Sequence, residues 1–440
     1  MITNIGELSR NSLRKKALLI ADAGYEAIDI EKSMPRKVKR NGDILTIEHI
    51  SPWEEKTIYE ETKLNLADFE NIFIVGIGKG SALASVSLAE ILGDKLTRGI
   101  ALDVQNPEIK NQISKIKIFT GTHPLPSKEN IFATQKIMEL AGNLTEKDLL
   151  ISVICGGGSA LACASESELN ASILATKALT KSGADIIELN TVRKHLSEFK
   201  AGGLAKLSCP ATLISLIVSD VCGNDLSMVS SGPTVSDYTT KTDAENILKK
   251  YGLSPEDFSL IETPKDEKYF KKTKNILLVY NEDAVMAMFN KARELGLEPR
   301  IKGLAMQGEA KDFLLPFLDE IKSGEAYIFA GETTVNFGQS KIGKGGRNME
   351  VVLGGLKSYG LNLKSDIVIV SFASDGHDNT EAAGAIGDEE TLKTAQKLGL
   401  SIEEYLDSHS TFEFFKKTGD LIYAEPKSFN VADLMIVLKE

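Results

Sequence analysis

Several short stretches of this chain combine glycines with cations or carboxylates in ways that suit the handling of an anion. In FIVGIGKGSALASVSLAEIL, residues 73–92, an apolar run enters a turn carrying Gly76, Gly78 and Lys79, then a helical pattern. The two glycines match the start of a dinucleotide fingerprint, but Ser81 stands at the third glycine position and Lys79 puts a charge inside the turn. In ICGGGSALACA, residues 154–164, Gly156, Gly157 and Gly158 let backbone amides crowd around an anion, with Ser159 at the helix start as a further donor. A ligand-free strand-to-helix turn explains that loop, taken alone, about as well. A serine-hydrolase elbow is excluded, because Leu161 occupies the position of its second glycine.

Further along, LNTVRKHLSEFKAGGLAK, residues 189–206, reads as one helix ending near Gly202 and Gly203. Seven positions separate Arg193 from Lys200, which puts both on one face two turns apart; a solvated face is the ordinary explanation of such charges. In IVSDVCGNDLSMVSSGPTVSD, residues 217–237, Asp220 follows a strand, and Asp225, Ser231, Gly232 and Thr234 line a long loop. A carboxylate at the carboxyl end of a parallel strand suits a hydrated Mg²⁺ beside a phosphate, although the loop also has plain turn-forming composition. FAGETTVNFGQSKIGKGGRNMEVVL is not a Walker A loop, since Gly345 stands where Ser or Thr would ligate magnesium. It does offer Lys344 and Arg347 around a glycine pair at a predicted helix start, two cations and free amides aimed at one point, with Glu332 upstream at a strand end. ASDGHDNTEAAGAIGD, residues 373–388, puts Asp375, Asp378 and Glu381 after another strand, at a spacing that no EF-hand loop has.

The elements that must position these groups follow from composition and periodicity. A chain of 440 residues exceeds one ordinary hydrophobic core, so two domains are expected. Apolar runs of strand length (FIVG, GIALDV, IKIFTG, LLISVIC, TLISLIVSD) alternate with amphipathic stretches, the pattern of a mostly parallel α/β sheet whose ligands lie beyond the strand ends. Residues 253–274 turn charged and lose periodicity, which predicts a surface connection between a domain over 1–252 and a second α/β series over 275–440 that opens with NILLVY. The first 60 residues, with one amphipathic helix and a strand ILTIEHI, fit either domain. A net charge of −11 disfavours nonspecific binding to nucleic acid or an anionic membrane, so an anionic substrate has to be captured by local cations. The four cysteines, Cys155, Cys163, Cys209 and Cys222, have no zinc-site spacing, and no apolar run approaches the ~20 residues of a membrane span. A reducing, cytoplasmic location is expected.

Taken together and in order, GIGKGSA, GTHPLPSKEN, CGGGSALA, LNTVRKHLSEFKAGGLA, SDVCGNDLSMVSSGPTVSD, GETTVNF, GKGGRNME, SDGHDNTEAAGA and FNVADL resemble the glycerate 2-kinase family of the MOFRL-containing type. The resemblance implies a Rossmann-like, mostly parallel sheet domain plus a second, MOFRL-like α/β domain, with the active site in the cleft. It implies transfer of the ATP γ-phosphoryl to D-glycerate with Mg²⁺ as cofactor, Lys79 and Arg347 being the key cations. Gly78, the Gly156, Gly157, Gly158 and Ser159 loop, Arg193 and Lys344 then bind substrate or nucleotide, and Asp220 with Glu332 or Asp375 holds the metal. The expected partners are these small molecules, with neither nucleic acid nor membrane, and self-association is left open. Members are also labelled hydroxypyruvate reductases; for that rival Asp103 is the only acid available as ribose partner, and it lies later than the ~20 residues expected. A noncatalytic small-anion-binding protein is the rival from another class. The chain departs from the family pattern at His377 and Asn379, and at Glu425, Lys427 and Phe429 near the carboxyl end.

Overall fold

Residues 1–53, 56–104, 115–221, 223–338, 343–360 and 366–440 are described by the structure, a computed structural model; Cys222 lies outside the described residues. Strands β1 (Val38–Asn41), β2 (Ile44–Trp53) and β3 (Lys56–Asn65) form a three-stranded sheet in that order. The apolar runs that follow become β4 (Asn71–Ile77), β5 (Arg98–Asp103), β6 (Ile116–Thr120), β7 (Asp148–Cys155), β8 (Thr212–Val218) and β9 (Thr273–Val279). All pair in parallel, in the order β6-β5-β4-β7-β8-β9. Every residue of β7 is buried, as a strand covered on both faces requires, which is why it reads as a continuous apolar run and not an alternating one. The chain winds outward from β4 on one side and from β7 on the other, so the winding reverses between these two neighbours.

Two compact units divide the chain: Ile30–Ile50 with Thr57–Val279, and Met1–Asp29 with Ser51–Lys56 and Tyr280–Glu440. The division therefore falls after Val279 and not at 253–274. NILLVY, expected to open the second series, supplies β9 at the edge of the first sheet, paired in register with β8. The charged stretch 253–274 is no free connection either. It contains two short 3-10 turns, Pro255–Asp257 and Glu267–Tyr269, which erase any periodicity, while Phe258 and Leu260 are buried in a core with helices Glu166–Lys181, Ile186–His195 and Lys241–Lys250.

In the other unit, β10 (Glu298–Met306), β11 (Glu325–Gly331), β12 (Ile367–Ala373), β13 (Gly384–Gly387), β14 (Leu421–Ile422) and β15 (Asp433–Lys439) form a mixed sheet in the order β10-β11-β15-β12-β13-β14. The last strand of the chain is thus inserted at the centre. Its register pairs Asp433 with Gly331 at the end of β11 and with Ala373 at the end of β12. The helix Arg347–Tyr359 buries Met349, Val352 and Leu356 in the core of this unit. The amphipathic helix Ser12–Ala27, left open by the sequence, belongs here: Arg14 is fully buried, with Nε 2.7 Å from Asp388 and Nη1 2.8 Å from Asp420.

Candidate active site

The first group of site residues assembles where the winding reverses, at the carboxyl ends of β4 and β7. Gly78 adopts φ +110°, and a Cβ there would lie 2.1 Å from the carbonyl oxygen of Cys155, so only glycine lets the two turns approach this closely. Lys79 N donates to Gly156 O at 2.9 Å, and the Lys79 side chain crosses Gly157, its Cγ 3.1 Å from where a Cβ would stand. Asp220, just beyond β8, sets its carboxylate against the Gly156 backbone, 1.9 Å from a Cβ built at that glycine. The loop is braced from behind. Gly158 N donates to Ser230 Oγ at 3.0 Å, and the hydroxyls of Ser159 and Ser231 are 2.8 Å apart. Lys79, Gly78, the three-glycine loop, Ser159 and Asp220 are therefore brought together by topology.

Arg193 reaches the same region from the helix Ile186–His195. Its Nη2 donates to the Thr176 hydroxyl at 3.0 Å, and desolvation weakens its hold on the proton. The single helix expected over 189–206 is in fact two. The first stops at His195, Ser197 Oγ accepts from Phe199 N and Lys200 N at 3.3 and 3.4 Å, and a second helix starts at Gly203. Lys200 consequently does not share a face with Arg193; it is buried in a 2.7 Å ion pair with Glu168. His123 is the residue that the sequence reading passed over, although it lies inside GTHPLPSKEN after β6. Desolvation and then the positive charges of Lys79 and Arg193 push its imidazole down to about 4. Two cations and a histidine that their charge helps keep neutral thus share one region.

Asp103 does not serve as a ribose partner. It is buried, Oδ2 accepting from Ala82 N at 3.0 Å and Oδ1 from Val104 N at 2.7 Å, which ties the helix Ser81–Leu92 to the end of β5. Thr234 is likewise internal, bonded to Ser215 and Asn275.

The second group of site residues lies in the other unit, around the start of the helix Arg347–Tyr359. Because β15 places Asp433 between the ends of β11 and β12, its carboxylate grips Arg347 through Nε and, at 3.2 Å, through Nη2. Glu332, one residue past β11, also meets the guanidinium, Oε1 lying 3.2 Å from Nη2 and Oε2 accepting from Nη1 at 3.4 Å. Asp378 caps the helix, accepting from Asn348 N at 3.2 Å and Met349 N at 2.9 Å. Burial pushes Asp378 up to about 7, with Asp433 adding to it, and pushes Asp433 up to about 6 against the opposing charge of Arg347. Lys344 is engaged elsewhere: its ammonium lies 2.7 Å from Glu381 and 3.8 Å from the Phe412 ring centroid. The two cations therefore do not aim at one point; each has its own carboxylate.

Glu332 faces Arg347, and Asp375 accepts from His377 N at 3.0 Å. Among the described residues no three His, Cys, Asp or Glu side chains converge on a metal position. A single carboxylate such as Asp220 beside a glycine loop still fits Mg²⁺, which keeps several waters and takes only one or two protein carboxylates when phosphates supply the rest. Of the positions that depart from the family pattern, His377 and Asn379 are exposed, Lys427 pairs with Asp29 at 3.1 Å and Phe429 is buried.

A doubly wound sheet with a cation-lined glycine site at its switch point, and a second α/β unit with a clamped arginine, define an α/β enzyme acting on small anions. Residues 16–261 match the model described as a domain of unknown function, DUF4147, and residues 325–433 match the MOFRL family. The chain is 33% identical to a glycerate 2-kinase of Pyrococcus horikoshii over 83% of this chain and 87% of that one. It is 34% identical to a putative hydroxypyruvate reductase of Agrobacterium vitis, over 83% and 86%. The crystal structure of the Thermotoga maritima glycerate kinase superposes with a TM-score of 0.78 at 28% identity, covering 97% of this chain and 99% of that one. The chain belongs to the glycerate 2-kinase family of the MOFRL-containing type.

Proposed function

We propose that the protein transfers the γ-phosphoryl of ATP to the 2-hydroxyl of D-glycerate, yielding 2-phosphoglycerate and ADP. The observation that carries this reading is the convergence of Lys79, Arg193 and the amide-rich Gly156–Ser159 loop at the switch point, in a chain whose relatives include glycerate 2-kinases. In the reaction the glycerate 2-oxygen forms a bond to phosphorus as the bond to the β,γ-bridging oxygen breaks, and the hydroxyl proton is released. Such a transfer needs positioning and charge neutralisation more than a protein nucleophile. Lys79 and Arg193 supply positive charge against phosphoryl or carboxylate oxygens, and the glycine amides supply donors. Arg347, its fork fixed by Asp433, acts on the same reaction as an oriented cation. Asp220 would hold Mg²⁺, which when bound neutralises phosphate charge.

The reductase reading lacks its parts: Ser81 replaces the third glycine and both Asp103 oxygens are committed to backbone amides. A cytoplasmic setting belongs to the same proposal; among the described residues no helix is long and apolar enough to cross a membrane. The test is an enolase-coupled assay with ATP, Mg²⁺ and D-glycerate. Signal without added phosphoglycerate mutase is expected. Signal only with mutase would mean the 3-phosphate, and loss of nicotinamide absorbance with hydroxypyruvate would favour the reductase.

A further inference from the structure

Beneath the start of the helix Arg347–Tyr359 lies a cavity of 620 Å³, large enough for a cofactor, whose walls include Thr333, Phe337, Lys344, Arg347, Glu350 and His409. All belong to one unit. Its floor is unfinished in a specific way. Glu350 is 1% exposed; Oε1 is 2.8 Å from His409 Nδ1, while Oε2 has no hydrogen-bond partner among the described residues. Thr333 is 2% exposed, and among the described residues its hydroxyl also has no partner. Buried polar atoms are seldom left unpaired, and each costs free energy until something bonds to it. The wall is aromatic: Phe337, 41% exposed, meets the His409 ring edge-on with centroids 4.9 Å apart. Lys344 and Arg347 add positive charge to the same lining.

We propose that this cavity seats the adenine base of the phosphoryl donor, with the donor's phosphates on the Lys344 side. The inference rests on the kinase reading for the identity of the donor. An adenine edge presents an amino donor beside a ring-nitrogen acceptor. One open carboxylate oxygen and one hydroxyl match that pair. Guanine presents two donors side by side and would want both carboxylate oxygens, but His409 already holds Oε1. Phe337 offers a face for stacking, and an anionic phosphate tail would compete with Glu381 for Lys344.

The test uses the full chain, with ADP binding followed by calorimetry and steady-state kinetics run with ATP and with ITP, whose base carries an oxygen where adenine has its amino group. The wild type is expected to favour ATP over ITP by roughly tenfold or more, the size of effect expected when a built polar site meets a ligand lacking its partner. Phe337→Ala removes an exposed ring and should fold normally; it should weaken ADP binding and raise the KM for ATP roughly tenfold, as loss of a base-stacking ring does. Its KM for glycerate should stay within about twofold. Glu350→Gln should narrow the ATP-to-ITP ratio. Unchanged ADP affinity and ATP KM in Phe337→Ala would overturn the proposal while leaving glycerate phosphorylation intact. Weakened ADP binding in a protein that does not phosphorylate glycerate would uphold the pocket and reject the acceptor.

Discussion

Arg347 is held more firmly than its position in a glycine-rich turn suggests. A planar fork satisfies two oxygens of the buried Asp433 while Glu332 also meets the guanidinium; lysine offers a point charge and cannot reproduce this. Arg347→Lys should therefore lower kcat and kcat/KM together by about 10² or more, the usual loss when one oriented charge is removed from a transition state. Near-normal steady-state rates in a protein with unchanged circular dichroism would take Arg347 out of the reaction. Asp433 acts through Arg347 as a positioning residue. Its folded pKa is raised to about 6, so the carboxylate that grips the fork is ionised above that pH and lost below it. Activity should accordingly fall on the acid side near pH 6, and Asp433→Asn should lower kcat and flatten that limb; a limb unchanged in the variant would assign it to another group. Asp220→Asn keeps shape but loses the charge that a hard cation prefers, so the Mg²⁺ concentration giving half-maximal rate should rise. An unmoved magnesium titration would leave Asp220 as a residue of the turn.

At the scale of elements, the helix Ser12–Ala27 is locked to the sheet unit by charge as well as by its apolar face. Asn11 caps it, accepting from Arg14 N at 2.8 Å, and the buried Arg14 side chain reaches Asp388 and Asp420. Removing one member of a buried pair leaves unpaired charge and costs about 3–5 kcal/mol, a large share of a typical domain's margin, so Arg14→Ala should shift thermal unfolding markedly downward. Burial alone would raise the Asp388 carboxyl, but the hydrogen bonds and charge of Arg14 hold it below its ordinary value. For a depressed carboxyl the stabilisation is present above the unfolded pKa and disappears as pH falls through the folded one. The gap between wild type and Arg14→Ala should thus be full near pH 7 and shrink in acid, as thermal denaturation across pH would record. A gap independent of pH would point to packing by the arginine stem alone.

For the whole molecule, the consequence of the topology is that one unit is built from both ends of the chain. Residues 280–440 expressed alone should show no cooperative thermal transition, because they leave Asp388, Asp420 and an apolar surface without the helix Ser12–Ala27; joining residues 1–29 to 280–440 should restore it. Cooperative unfolding of 280–440 by itself would show that the first helix is dispensable. The sequence alone determined whatever depends on local pattern: the strands FIVG, LLISVIC and TLISLIVSD, the turns at Gly78 and Gly156–Gly158, the helix opening at Arg347, and through nine ordered motifs the family. The placement of Lys79 and Asp220 just beyond strand ends was legible because each follows an apolar run of strand length. What required the tertiary structure was every relation between distant segments. NILLVY carries the same apolar signal whichever sheet it joins, so only pairing with β8 could place it. Phe258 and Leu260 look like scattered apolar residues in a charged stretch until a core forms around them. Lys200 reads as a partner of Arg193 at helical spacing, yet the helix ends at His195 and Lys200 turns to a buried ion pair with Glu168. Asp433 sits in the FNVADL motif, which does not name its partner; it meets Arg347 because the last strand enters the middle of the sheet, and strand insertion is decided by hydrogen-bond pairing and burial across the whole unit, which no local window of residues encodes.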